Sequence, residues 1–183
     1  MDDKHVILDS TLSLGRWEED NAHIPLRNSL LAHVGAMWGA DRVWLITQQG
    51  ETDLPDRSFT GYLRMSELLS ELNCREVKVD TPFWTMTKVD MVKWYKEQGL
   101  PIAGLLATHS CYDAGRDKKP CGNCGACFRR FIAFYLNDIK EEYELPPLET
   151  RLAKDYLRRA RLGQYPGKRG QEIIDAFKKA GKL

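Results

Sequence analysis

The sequence predicts an α/β domain: a parallel sheet flanked by helices, with a cysteine-held module towards its C-terminal side. Three observations carry that expectation. Strand-like and helix-like apolar periodicities alternate from residue 5 to residue 100. VWLIT (43–47) is a continuous apolar, β-branched run, the pattern of a parallel strand buried on both faces. Four of the five cysteines fall within residues 111–127, too close together to be scattered core residues.

The elements follow in order. HVILDS (5–10) reads as a short strand. IPLRNSLLAHVGAMWGA (24–40) has helical spacing from Leu30 to Trp38, with Pro25 in a tolerated first-turn position and Gly39 at the stop. VWLIT is the second strand, QQGETDLPDRS (48–58) a loop, and FTGYLRMSELLSEL (59–72) a helix. EVKVDTPF (76–83) alternates and stops at a proline, as a strand does. TKVDMVKWYKEQGL (87–100) reads as a helix with Thr87 as N-cap and Gly99 as stop. FRRFIAFYLNDIKEEY (128–143) is predicted as one helix growing out of the cysteine module, and ELPPLET (144–150) as a linker. The remainder is helical, interrupted by GQYPGKRG (163–170). The expected division is an α/β domain over 1–102, a metal module with its following helix over 103–143, and a helical tail over 144–183.

Composition narrows the setting. Net charge is +1, so overall charge names no partner, but residues 151–183 carry ten Lys/Arg against three Asp/Glu. A basic arm of this kind can meet nucleic acid or phosphate; its plainer reading is a solvated amphipathic helix. The start, MDDKHVILDS, is acidic and lacks the apolar run of a signal peptide, and no stretch approaches the ~20 apolar residues of a membrane span. A cytoplasmic setting is expected, and there clustered thiols point to metal or catalysis rather than disulfides.

Cys111, Cys121, Cys124 and Cys127 are spaced C-x9-C-x2-C-x2-C. Two-residue gaps turn successive thiolates towards one centre, and Cys111 closes the set across a loop. Four thiolates make a closed tetrahedral Zn2+ site, structural because no position is left for water. The rivals are unmetallated thiols and an iron–sulfur cluster, whose fourth cysteine normally follows at short spacing before a proline. Cys74 is expected to be a small buried residue.

These residues resemble a known family. Ser110-Cys111-Tyr112 followed by Cys121-Gly122, Cys124, Cys127 and Arg130 is similar to the SCY…CGxCxxCxxR module of QueC, the 7-cyano-7-deazaguanine (preQ0) synthase family. IPLRN (24–28) looks like its P-x-R-N element, ETD (51–53) its acidic loop, and TPFWTMTKVDMV (81–92) its lysine-bearing segment; together the likeness covers roughly residues 5–135. Gln48 stands where a glycine commonly follows the strand. The resemblance implies an adenine-nucleotide alpha-hydrolase-like fold. It also implies ATP, with Mg2+, used to activate 7-carboxy-7-deazaguanine for amidation by ammonia and then dehydration to a nitrile. Carried over residue by residue, it makes Lys88 and Arg130 catalytic cations, and Arg27, Asn28, Glu51 and Asp53 binding residues. The family's pyrophosphate-cradling loop, SGGxDS, does not occur in the sequence; Asp9-Ser10-Thr11 lacks the glycines. The expectation is therefore a fold incomplete at its N-terminus. Its PP-loop would come from a partner chain or homo-oligomer, and its product would serve nucleic-acid modification. Two other readings stand beside it: a non-catalytic zinc-stabilised module that docks a protein or nucleic acid, and a ligase acting on another acid.

Overall fold

The structure is a computed structural model that describes residues 24–51, 55–112 and 118–183. The predicted strand at 5–10 and the candidate Asp53 lie outside the described residues. Helix α1 (Arg27–Met37) leads into strand β1 (Arg42–Trp44), and helix α2 (Phe59–Asn73) into strand β2 (Lys78–Asp80). Helix α3 (Lys88–Glu97), the short α4 (Ile102–Leu106) and α5 (Gly125–Leu136) follow, then α6 (Arg151–Arg161) and α7 (Arg169–Lys179).

β1 and β2 pair in parallel, with Val43 opposite Val79. Both strands are shorter than the sequence suggested, and the sheet has two strands among the described residues. One face is packed: Ala32 and Ala36 of α1 and Tyr62, Met65 and Leu69 of α2 close over Leu45, Val77 and Val79. Small residues on α1 let it approach closely; a Cβ on Gly35 would lie 2.9 Å from a Val43 methyl. Trp44 and Ile46, on the opposite face, are 58% and 60% exposed, so among the described residues VWLIT is packed on one side. The outer edge of β2 is satisfied by side chains rather than by another strand. Val77 N–H donates to Ser70 Oγ and Val79 N–H to Ser66 Oγ, each at 2.9 Å.

The helical half is built on α5. Phe128 and Ile132 pack with Ala153 and Ala160 of α6 and Ile173, Ala176 and Phe177 of α7. Ala133 and Phe134 pack with Val92 of α3 and with Ile139. Burying Phe177 and Ile173 contributes about 1.5–3 kcal/mol each, enough to hold α7 in place. The basic segment is thus folded onto α5 through an apolar face, with Lys168 and Lys179 at its rim paired to Asp90 and Asp138.

Two local expectations are corrected. α5 ends at Leu136, not at residue 143. Asp138 takes a left-handed φ of 60°, and Ile139 N–H bonds back to Phe134 O at 2.9 Å while its side chain is buried beside Phe134. That turn terminates the helix and sends 139–143 back along it. Cys74 is exposed, not buried: it is the left-handed C-cap of α2, at φ 50°. No helix among the described residues is long and apolar enough to cross a membrane.

Candidate functional site

The four cysteines converge. The Sγ atoms of Cys111, Cys121, Cys124 and Cys127 all lie within 4.8 Å of one another, with Cys121 and Cys127 at 3.9 Å. Tetrahedral ligation at ~2.3 Å places sulfurs about 3.8 Å apart, so this donor set could hold a metal ion. Backbone geometry supports it. Gly122 has φ 75°, and a Cβ there would lie 2.0 Å from Leu145 O, so glycine is required between the ligands. Amides point at sulfur: Asn123 N–H at Cys121 Sγ and Cys127 N–H at Cys124 Sγ, both at 3.4 Å. Cys124 is the N-cap of α5, and its sulfur accepts from the Cys127 N–H of the first turn. Burial pushes the Cys127 thiol well above its usual range, so a cation is what would hold it ionised.

Arg27, Asn28, Glu51 and Lys88 lie along the C-terminal ends of the two strands, where open α/β sheets place ligands. These ends are tied together: Thr81 Oγ1 donates to Thr47 O at 2.9 Å, and Gln49 N–H to Met86 O at 2.9 Å. A groove of about 430 Å³ is lined by Arg27, Asn28, Glu51, Trp44, Tyr62 and Arg57. Arg57 was not singled out by sequence; it sits in a loop with no periodicity to mark it. Asn28 is buried, and its Nδ2 donates weakly to Asp56 O at 3.4 Å.

Glu51 also lines a second, smaller cleft of about 40 Å³, with Gln48, Lys88, Arg129, Arg169 and Glu172. Thr87 caps α3 in a reciprocal capping box with Asp90, which fixes Lys88 at the first helical position. Burial holds the Lys88 ammonium below its usual range; Glu51 opposes this, and Arg129, Arg130 and Arg169 add to it. The Thr87 hydroxyl donates to the Glu172 carboxylate of α7 in a short hydrogen bond.

Lys88 and Arg130 meet at a third cavity, of about 330 Å³, walled by Phe83, Trp94, Tyr95 and Phe134. Arg130 is 5% exposed and fully engaged. Its guanidinium pairs with Glu141 at 2.8 Å and donates to Thr108 Oγ1 at 2.6 Å and Leu105 O at 3.0 Å. It thereby ties the segment entering Cys111 to α5, the partner being an acid on the turned-back 139–143 stretch. Arg27, Asn28 and Glu51 thus share one groove, Glu51 and Lys88 the next, and Lys88 and Arg130 the third.

The family model described as queuosine biosynthesis protein QueC matches residues 3–138. The chain belongs to the QueC family. Curated relatives named 7-cyano-7-deazaguanine synthase agree with it. That of Pseudoalteromonas atlantica is 30% identical over 128 residues, 66% of this chain and 56% of the relative. That of Archaeoglobus fulgidus is 31% identical over 125 residues, 64% and 50% of the two chains. The chain spans about half the length of these relatives. The QueC match stops two residues beyond α5, so α6 and α7, with Arg169 and Glu172, lie outside it.

Proposed function

We propose that this chain carries the substrate side of a 7-cyano-7-deazaguanine synthase. The reaction is the ATP-dependent conversion of 7-carboxy-7-deazaguanine and ammonia to the nitrile. The observation that carries this is the alignment of Arg27, Asn28, Glu51 and Lys88 along the strand ends in a QueC-family chain. The 430 Å³ groove is of the size class that takes a small heterocycle. There Asn28, Glu51 and Asp53 would read the donor–acceptor edge of the deazapurine. Arg27 would offset the substrate carboxylate, and Lys88 the charge that develops as the carboxylate displaces pyrophosphate from ATP. Ammonia then displaces AMP, and a second activation removes the amide oxygen. Arg130 acts by holding the metal module against α3 and α5. The metal is structural Zn2+, since four thiolates leave no open position; Mg2+ accompanies ATP. The fold is of the adenine-nucleotide alpha-hydrolase type, the setting is cytoplasmic, and the PP-loop comes from a partner polypeptide or a second copy.

The test is pyrophosphate release from ATP with 7-carboxy-7-deazaguanine and ammonia, by this chain alone and with a PP-loop-bearing polypeptide encoded beside it. Release dependent on the substrate acid, in either sample, supports the reading. No release in either, from folded zinc-loaded protein, overturns it. One observation favours a second reading, a non-catalytic binding module. At about 40 Å³ the cleft beside Lys88 is too small for a nucleotide while α7 stands across it. Docking of nucleic acid through the cations of 151–183 would then show a steep salt dependence.

A further inference from the structure

The C-terminal helical pair does not lie apart from the strand-end cleft. It forms a wall of it. A Cβ on Gly50 would sit 3.8 Å from Arg169 Cδ, and one on Gly167 2.6 Å from the Gln49 amide, so the 165–170 turn is pressed onto the loop after β1. Glu172 accepts from Thr87, and Lys168 pairs with Asp90 at 3.3 Å. Both contacts fall on the first turn of α3, beside Lys88.

This places three cations, Lys88, Arg129 and Arg169, around one cleft against two acids, Glu51 and Glu172. Glu172 is already bonded to Thr87. The Arg169 guanidinium is pinned over Tyr165, 4.8 Å from the ring centre, and has no carboxylate within ion-pair distance among the described residues. Arg129 Nε is buried without a hydrogen-bond partner. Gln48, 8% exposed, lines the same cleft with its Oε1 equally unpartnered. A buried guanidinium N–H left open is costly unless an acceptor completes it, and the unpartnered Gln48 oxygen leaves that amide without a contact that fixes its orientation. The cleft's volume of about 40 Å³ corresponds to roughly three waters at ~10–15 Å³ each, the space of one tetrahedral oxyanion.

We propose that Arg169 of α7, together with Arg129, Lys88 and Gln48, forms an oxyanion site for a phosphate-type group. By this the C-terminal helices, outside the family match, become part of the ligand-binding wall. Guanidinium forks match phosphate oxygens two at a time, and the positive end of α3 adds to the field. The Gln48 amide, turned to present its NH2, supplies a further donor. The proposal deepens the synthase reading only in naming which residues receive phosphate. Bare phosphate binding requires no turnover, so its failure would leave that reading standing.

The experiment is calorimetric titration of the full zinc-loaded chain with inorganic phosphate, then pyrophosphate, then ATP. Parent protein should bind at least one of them. Arg169→Met should weaken that binding at least tenfold, and Arg169→Lys, which keeps charge but not the fork, by less. Arg158→Met, an exposed cation on α6 paired with Asp155, should bind as the parent does. Competition by ATP for bound pyrophosphate assigns the site to a nucleotide's phosphates; absence of competition assigns it to the free anion. Either supports the site. If Arg169→Met binds as tightly as the parent, or the parent binds none of the three, the proposal is overturned. Should Arg169→Met fail to fold by circular dichroism, the Lys variant carries the same test.

Discussion

At the scale of single residues, the metal cluster is the most exposed to test. Cys124 is both a sulfur donor and the N-cap of α5, so Cys124→Ser keeps a capping oxygen but removes a soft ligand. We expect bound zinc to fall below one equivalent by elemental analysis and the melting temperature to drop; unchanged zinc and melting would refute the metal site. Cys74 gives the opposite case. It holds a left-handed φ with an exposed side chain, so Cys74→Gly should stabilise by about 1 kcal/mol without changing metal content. A denaturant titration reads this directly. The contrast shows what single residues disclose. The ligand spacing and the Thr87 cap were legible because each depends on neighbours in sequence. The engagement of Arg130 by Glu141 takes its geometry only where α5 stops at Leu136 and the chain reverses. The meeting of Gln48 with Arg169 was hidden, since the cleft that unites them joins segments some 120 residues apart.

At the scale of elements, α7 is a clasp whose grip depends on pH. Burial raises the Glu172 carboxylate above its ordinary 4.5, the Asp90 charge adds to this, and Thr87, Lys168 and Arg169 oppose it. The folded chain therefore holds that proton more tightly than the unfolded chain. Stability from this group is full below about pH 4.5 and is lost as pH rises through the raised folded value. Glu172→Gln keeps an oxygen for the Thr87 hydroxyl and does not titrate. Its melting temperature should match the parent's near pH 4 and exceed it by pH 7. Asp90, shifted downwards, has the opposite dependence but is common to both proteins and cancels. A constant difference across that range would mean that Glu172 is not buried against α3. The helices themselves were readable: α2, α3, α6 and α7 fall where periodicity placed them, and so does α1, although its buried face is Asn28, Ala32 and Ala36 while Met37 and Trp38 stay exposed. The strands were overextended, since VWLIT carries a pattern suited to two covered faces while the described fold covers one.

At the scale of the whole molecule, that uncovered face bears on partners. Parallel strands are ordinarily sheltered on both sides. Here Val43 and Leu45 turn inwards, while Trp44 and Ile46 stand more than half exposed, with Leu30 and Leu31 of α1 partly open nearby. If a PP-loop-bearing chain completes the sheet, this face and the edge of β1 that no described strand pairs are where it would add, and the apolar surface is what it would remove from water. Ile46→Lys separates this from a role in folding. Because Ile46 is 60% exposed, the substitution should leave the melting temperature of the isolated chain within the ~0.5 kcal/mol range of ordinary surface changes. Association with the PP-loop polypeptide, measured by sedimentation without substrate so that the groove Ile46 also lines plays no part, should weaken at least tenfold. Undiminished association would place the partner elsewhere, and the exposed isoleucine would then be an ordinary surface residue of a chain that needs no second layer.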